Sequence, residues 1–274
     1  MKDKKVSSAS LSSPEVAAAK PKTVTVKHPE SNKPKPTAKK NKPVQANMDL
    51  VKELIRSKEE NVTRLDLSKK CANLSTLDLQ HNDLSEIPET IGNLQALTRL
   101  GLRTNKLSKI PDNISNLQNL KVLILSNNAL RRIPSSIGNL KKLRVLDLEE
   151  NKLEAILVRS GFCEIYKKLV MQSNQLTSLP RAIGHLSNLV FLSVGENNLN
   201  CLPEEIGTLT NLENLYLNDN PNLNSLPYEL ALCTHLQIMS IDNCPLAQIP
   251  PEIVANGPSL VIKYLKMQGP YRTM

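Results

Sequence analysis

A strict 23-residue recurrence constrains this chain more than any other feature. The figure Leu-x-Leu-x-x-Asn begins at Leu77 and returns at Leu100, Leu123, Leu146, Leu169, Leu192 and Leu215, with Met171 and Val194 in place of the second leucine in two copies. Its asparagines fall at Asn82, Asn105, Asn128, Asn151, Asn174, Asn197 and Asn220, and an eighth copy, 24 residues on, ends in Cys244. A unit this short cannot bury an apolar face alone, so its copies must stack into a solenoid. Leucines two apart point to one face of a short strand, which is predicted to be the core. Parallel strands about 4.8 Å apart then line the concave side. The Asn stands where the chain leaves the strand. Its amide can bond backbone groups of its own turn and the next that burial would leave unpaired. Cys244, with a small, weakly donating thiol, fits the same slot.

The second half of each unit returns the chain along the convex side. Prolines recur at Pro88, Pro111, Pro134, Pro180, Pro203, Pro227 and Pro250, each followed three residues later by an apolar residue. Pro stops strand growth, and Gly at the next position (Gly92, Gly138, Gly184, Gly207) suits a tight turn or a close backbone approach. This combination resembles leucine-rich repeats. The expected fold is an α/β solenoid: a leucine-rich-repeat horseshoe of 23-residue units, a parallel sheet on the concave face, and helical caps. Residues 48–60 read as an N-terminal capping helix with Leu50, Val51, Leu54 and Ile55 as its apolar stripe. Repeats are placed at 61–250 and a C-terminal cap at 251–274, with a helix over Ser259–Met267 and Leu260, Val261, Tyr264 and Leu265 on the last core layer.

Two stretches depart from the template. The strand-like Leu65–Lys70 precedes Leu77 by half a repeat, so irregular packing is expected over 68–76. In the fourth regular unit the proline is replaced by Leu157, and 155–168 ignores the pattern although Asn174 is in register. Codons permitted for the string from Val158 to Lys167, read one nucleotide earlier, encode a sequence that restores Ile, Gly, Leu and Leu at the template positions. Two compensating frameshifts account for this, and uninterrupted transcript sequence is the test. As written, Ser160, Cys163 and Tyr166 stand where aliphatics are expected.

Charge is unevenly placed. The net charge is +9, and residues 1–47 carry 11 Lys against Asp3, Glu15 and Glu30, so the folded part is close to neutral. That Lys/Pro-rich tail has too little apolar content to offset ordering and is expected to be disordered. Within it, Lys22-Thr23-Val24-Thr25-Val26 resembles the basic–x–Val–x–aromatic motif by which partners of protein phosphatase 1 add a strand to a sheet edge. Val26 stands where the aromatic belongs, so docking through Lys22, Val24 and Val26 and a plain solvated tail both remain open. Five cysteines form no CxxC pair, and there is no secretory or membrane-spanning run, so a reducing compartment, cytoplasm or nucleus, is expected.

No catalytic or metal-binding set is legible, and no cofactor is expected. The four histidines are scattered, and no phosphate-binding loop or nucleophile elbow follows a strand. Asp147, Glu149 and Glu150 lie close together, but exposed repeat positions carry carboxylates by default. A basic tail without interleaved aromatics gives no case for nucleic acid. Recognition is therefore expected at the positions between the leucines: Asp78, Gln80, His81, Arg103, Asp147, Glu149, Glu150, Gln172, Glu196, Tyr216, Asn218, Asp219 and Asp242, with Phe191 as a further contact. Eight strands make a face about 35 Å long, suited to a globular partner burying about 800 Å². The C-terminal half of that face is acidic and favours a basic patch.

Finally, residues 146–154, 203–233 and 243–272, including the non-repetitive ending, resemble the Shoc-two/Sur-eight family, as does the entry at 59–70. The resemblance implies a non-enzymatic scaffold of Ras–MAP kinase signalling. Such a scaffold joins a GTP-loaded Ras-type GTPase, M-Ras in particular, to the protein phosphatase 1 catalytic subunit, which dephosphorylates Raf kinase. It also implies a phosphatase-docking motif in the basic tail. The chain is expected to be a monomer without partners. The jump from Leu67 to Leu77 and the in-register join near Ile110-Pro111 imply that repeats of the family are absent.

Overall fold

The computed structural model describes residues 74–156 and 166–271. The predicted tail, capping helix, Leu65–Lys70 strand, Lys22–Val26 motif, Ser160 and Cys163 lie outside the described residues.

Eight three-residue strands form one parallel sheet in chain order. They are β1 (Thr76–Asp78), β2 (Arg99–Gly101), β3 (Val122–Ile124), β4 (Val145–Asp147), β5 (Lys168–Val170), β6 (Phe191–Ser193), β7 (Asn214–Tyr216) and β8 (Ile238–Ser240). Register advances one repeat per strand, Leu77 against Leu100 through to Leu215 against Met239. Each strand is centred on the first leucine of the figure. The second leucine, such as Leu79 or Leu102, follows the strand and is also fully buried. Stacked rows of these residues, with the convex-side Ile91, Leu94 and Leu97 and their equivalents, form a single continuous core. At about 2 kcal/mol per buried aliphatic side chain, these rows are the main stabilising term.

The asparagines form the predicted ladder, with one difference of direction. Asn105 Nδ2 donates to Leu102 O of its own turn and Leu79 O of the preceding turn, at 3.0 and 2.9 Å, while Oδ1 accepts from Leu84 N at 3.1 Å. The cross-turn bonds thus reach back to the preceding turn, not forward to the next. In the Cys244 turn the thiol donates to Leu217 O at 3.1 Å, which keeps the donor half of the pattern. The acceptor half is missing, and the extra residue in the 24-residue unit compensates. Leu223 N, the amide that an asparagine oxygen in this slot would serve, donates to Asn220 O at 3.1 Å instead. The longer unit and the cysteine are therefore one coupled change.

Each of these prolines before Pro250 starts a five-residue 3-10 turn on the convex side, as at Glu89–Asn93 after Pro88 and Glu204–Thr208 after Pro203. Pro supplies the extended entry (φ −66 and −70°) and needs no N–H there. The glycine that follows answers a close approach. A Cβ on Gly207 would sit 2.5 Å from Glu229 O of the next turn, and neither Gly184 nor Gly207 has a positive φ.

The irregular spans shrink. At 74–76 the chain already follows the template: Ser75 O accepts Thr98 N and Arg99 N, as Thr98 O accepts Lys121 N and Val122 N one turn on. On either side of the second anomaly, Ile156 is in the core and β4 pairs with β5 in normal register. Tyr166 fills the slot held elsewhere by Leu97, Leu120 and Leu143, and burial drives its hydroxyl pKa far up. After Pro250 the chain forms two helices instead of the single one expected, α1 (Pro251–Ala255) and α2 (Pro258–Gln268). Gly257, at φ 88°, makes the corner. Val261 and Leu265 of α2 join the core, Tyr264 packs beside it, and Leu260 does not enter it.

Candidate functional site: the concave face

Because strand side chains alternate, the residues flanking each buried leucine share the concave face. This adds a row that the sequence reading passed over: Thr76, Arg99, Val122, Val145, Lys168, Asn214 and Ile238, in line with Phe191. The signal was present as the residue preceding each Leu-x-Leu. It was missed because the strand was taken to run between the two leucines instead of around the first. Of these, Ile238 is 47% exposed, an apolar side chain left facing solvent.

The new row completes an aromatic cluster. Phe191 on β6 and Tyr216 on β7 approach to 5.3 Å between ring centroids, tilted by 36°. Lys168 Nζ lies 4.4 Å from the Phe191 centroid, a cation–π contact worth about 0.5–1 kcal/mol. Tyr216 and Phe191, both half-buried, are therefore prearranged. Rigid aromatics of this kind lose little entropy on binding and anchor interfaces.

The remaining predicted positions divide by what holds them. Asp78, His81, Arg103, Glu150, Glu196 and Asp242 are exposed. Gln80 folds over Asp78, donating Nε2 to Oδ2 at 2.7 Å. Glu196 is tied back to the preceding turn by Gln172 Nε2 and Ser173 Oγ at 2.8 and 2.7 Å. Asn218 lies over Gly195, whose added Cβ would meet Asn218 Oδ1 at 2.7 Å. Hydrogen bonds from Asn218, then Asn243, hold the Asp219 carboxyl below its ordinary pKa. Asp242 accepts from Ser240 Oγ at 3.0 Å. Five further positions in the outward sets, Gly101, Ser126, Val170, Ser193 and Gly195, are buried.

The last position of each outward set has a further duty. His81, Thr104, Asn127, Glu150, Ser173, Glu196, Asp219 and Asn243 all have φ between 51 and 57°. In all but Asn243, which follows the last strand, this left-handed turn aims the amide at the next repeat, as in Glu150 N to Gln172 O at 3.0 Å and Asp219 N to Asp242 O at 2.8 Å. The fold therefore sets the backbone conformation here while the residue type varies. Asn and Asp adopt this conformation readily, and β-branched Thr104 does so at a cost.

Asp147, Glu149 and Glu150 sit in different surroundings, with Asp147 and Glu149 half-buried and Glu150 exposed. Asp147 accepts from Ser126 Oγ and from the Glu149 amide at 3.3 and 3.2 Å. The Glu149 carboxyl pKa is raised, first by burial, then by Asp147 and Glu150, with Arg103 opposing. Among the described residues no group of three or more His, Cys, Asp or Glu is placed to hold a metal ion, and no helix is long and apolar enough to cross a membrane.

Residues 49–158 match the leucine-rich repeat region family. The chain is 55% identical over 89 residues to the leucine-rich repeat protein soc-2 homolog of Drosophila erecta, a stretch covering 28% of this chain and 14% of the fly protein. It is 58% identical over 57 residues to the leucine-rich repeat protein SHOC-2 of Danio rerio, covering 21% and 10% respectively. Each match spans about a seventh or less of the relative's length. Among solved structures, a leucine-rich-repeat protein of Leptospira interrogans superposes with a TM-score of 0.51 at 25% identity, over 71% of this chain and 72% of that one. Strand order, ladder, core and these likenesses agree: the chain folds as a leucine-rich-repeat solenoid whose array is similar, over part of its length, to those of SHOC-2 and soc-2.

Proposed function

We propose that the chain is a non-enzymatic protein-binding scaffold in Ras–MAP kinase signalling, acting in the cytoplasm. Its concave face joins a GTP-loaded Ras-type GTPase (M-Ras) to the protein phosphatase 1 catalytic subunit and so promotes Raf dephosphorylation. The observation that carries this reading is the 55–58% identity to SHOC-2 and soc-2 proteins. A concave face with a prearranged aromatic pair and exposed charges on either side supports it, since such a face suits a globular partner. The test is co-precipitation of M-Ras and phosphatase subunit with the full chain. Both proteins should be recovered with GTP-loaded and not GDP-loaded M-Ras, and recovery should fail with Phe191→Ala/Tyr216→Ala. Recovery of neither partner by the native chain overturns the reading. The short span relative to SHOC-2 favours one alternative, an adaptor for another GTPase or kinase, which predicts that outcome.

A further inference from the structure

The repeats serve as their own comparison, because equivalent positions obey the same packing rules. On the rim at the N-terminal ends of the strands, position by position, the turns outside the middle of the array carry no cation: Gln95, Gln118, Ser187 and Thr210 at one site, Ser75, Thr98, Val190, Glu213 and Gln237 at another. The turns leading into β3, β4 and β5 depart from this. Lys121, Lys141, Lys142, Arg144 and Lys167 crowd the same rim, all exposed. Equivalent positions on successive strands are about 4.8 Å apart, so these five charges occupy a band only two strand spacings wide. Among the described residues no carboxylate lies within ion-pair distance of any of them. The ion pairs found there are Lys106–Asp83 and Arg181–Glu205, and the contact within the band is Lys142 Nζ to Asn119 Oδ1 at 2.7 Å. Nothing in the core requires these charges, and like charges so close repel each other.

We propose that this rim is a peripheral docking surface for anionic lipid headgroups. Four of the five residues are lysines, which are flexible point charges, and their side chains line an open edge. That suits a fluid layer of negative charge. A stereospecific acidic peptide is better read by planar, bidentate arginines held in place. The tail adds a net +8 (11 Lys against 3 acids in residues 1–47) to the same chain. Charges of this kind act additively at an anionic surface, each strengthening binding about fivefold at moderate salt. No helix of the described residues can cross a bilayer, so the association is one of surface charge. The rim lies at the opposite end of the strands from Glu149, Glu196 and Asp219, which leaves the acidic edge of the concave face turned away from the lipid.

The test is co-sedimentation of the full chain with vesicles of phosphatidylcholine alone and with about a third phosphatidylserine, at low and physiological salt. The native chain should bind only the anionic vesicles and release as salt rises. Lys121→Glu/Lys141→Glu/Lys142→Glu/Arg144→Glu, with unchanged circular dichroism, should lose about a hundredfold or more in partition. A full-length variant with the tail lysines changed to Gln should still show that rim-dependent difference. Absence of native binding, or binding unaffected by the rim variant, overturns the proposal. Rim-dependent capture of polyglutamate in place of vesicles also overturns it, in favour of an acidic polypeptide. None of these readouts involves M-Ras or phosphatase.

Discussion

Replacing Asn151 with Ala probes the ladder in the middle of the array. Asn151 Oδ1 accepts from Leu130 N at 3.1 Å, and Nδ2 lies 3.0 Å from Leu125 O, 3.0 Å from Leu148 O and 3.1 Å from Glu149 O. All three carbonyls keep another donor, Glu149 O the Asn127 N–H at 2.8 Å. Leu125 O retains the Asn128 amide and Leu148 O retains the Asn174 amide, both at 3.0 Å. Leu130 N–H has no second acceptor in reach and is buried. Stranding that donor costs about 1–3 kcal/mol, and the weakened carbonyl bonds add about 1 kcal/mol, so Asn151→Ala should destabilise by about 3 kcal/mol. Asn151→Cys separates donor from acceptor. At position 244 a cysteine is accommodated because Leu223 N turns to Asn220 O, a relief that depends on the extra residue in that unit. Position 151 has no such residue, so Cys there should still cost about 2 kcal/mol. Urea denaturation followed by circular dichroism measures both. A cost below about 1 kcal/mol for Asn151→Ala, or a native-like Asn151→Cys, refutes the reasoning.

Further outcomes follow from the same geometry. Gly207→Ala places a methyl 2.5 Å from a backbone oxygen and should destabilise by about 1–3 kcal/mol, whereas Gly101→Ala meets only side chains, the Asp78 carboxylate at 3.0 Å and Gln80 Cγ at 3.5 Å, and should be nearly neutral; thermal melts compare them. Glu149 has a raised pKa, so between its ordinary value of 4.5 and the raised one the native state holds more protons than the unfolded state, and stability falls as pH rises through that window. Glu149→Gln should therefore stabilise the protein at pH 7, with the gain vanishing below about pH 4.5, as read from urea midpoints across pH. Equal effects at both pH values count against the assignment.

The fold was legible because one physical rule, repeated every 23 residues, writes itself into the sequence many times over. Leu77, Leu79 and Asn82 recur with so little variation that strand order and register follow directly. What escaped were features carried by backbone geometry and not by residue type. The left-handed φ shared by Thr104, Glu150 and Asn127 leaves no common side chain to read. The reach of each Asn to the preceding turn depends on the direction of stacking. Burial of Ser126 and Val170 on the nominally exposed face comes from neighbouring turns, such as Asp147 over Ser126. The concave cluster was half legible: Tyr216 and Phe191 were found, but Lys168 and Ile238 required knowing where each strand begins. Which partner the face receives is written only in these variable positions, and a repeat pattern says nothing about them.

The account rests on recognition by the concave face, and affinity compared between opposite faces tests it most directly. Dissociation constants for GTP-loaded M-Ras with the phosphatase subunit can be measured by calorimetry on the full chain. Anchors such as Phe191 and Tyr216 are each worth about 2 kcal/mol, so Phe191→Ala/Tyr216→Ala should weaken binding by about a hundredfold or more. The convex-side variant Arg181→Ala, which removes only an exposed pair with Glu205, should stay within about twofold. Unchanged affinity in the concave variant, or a larger loss in the convex one, would contradict the account.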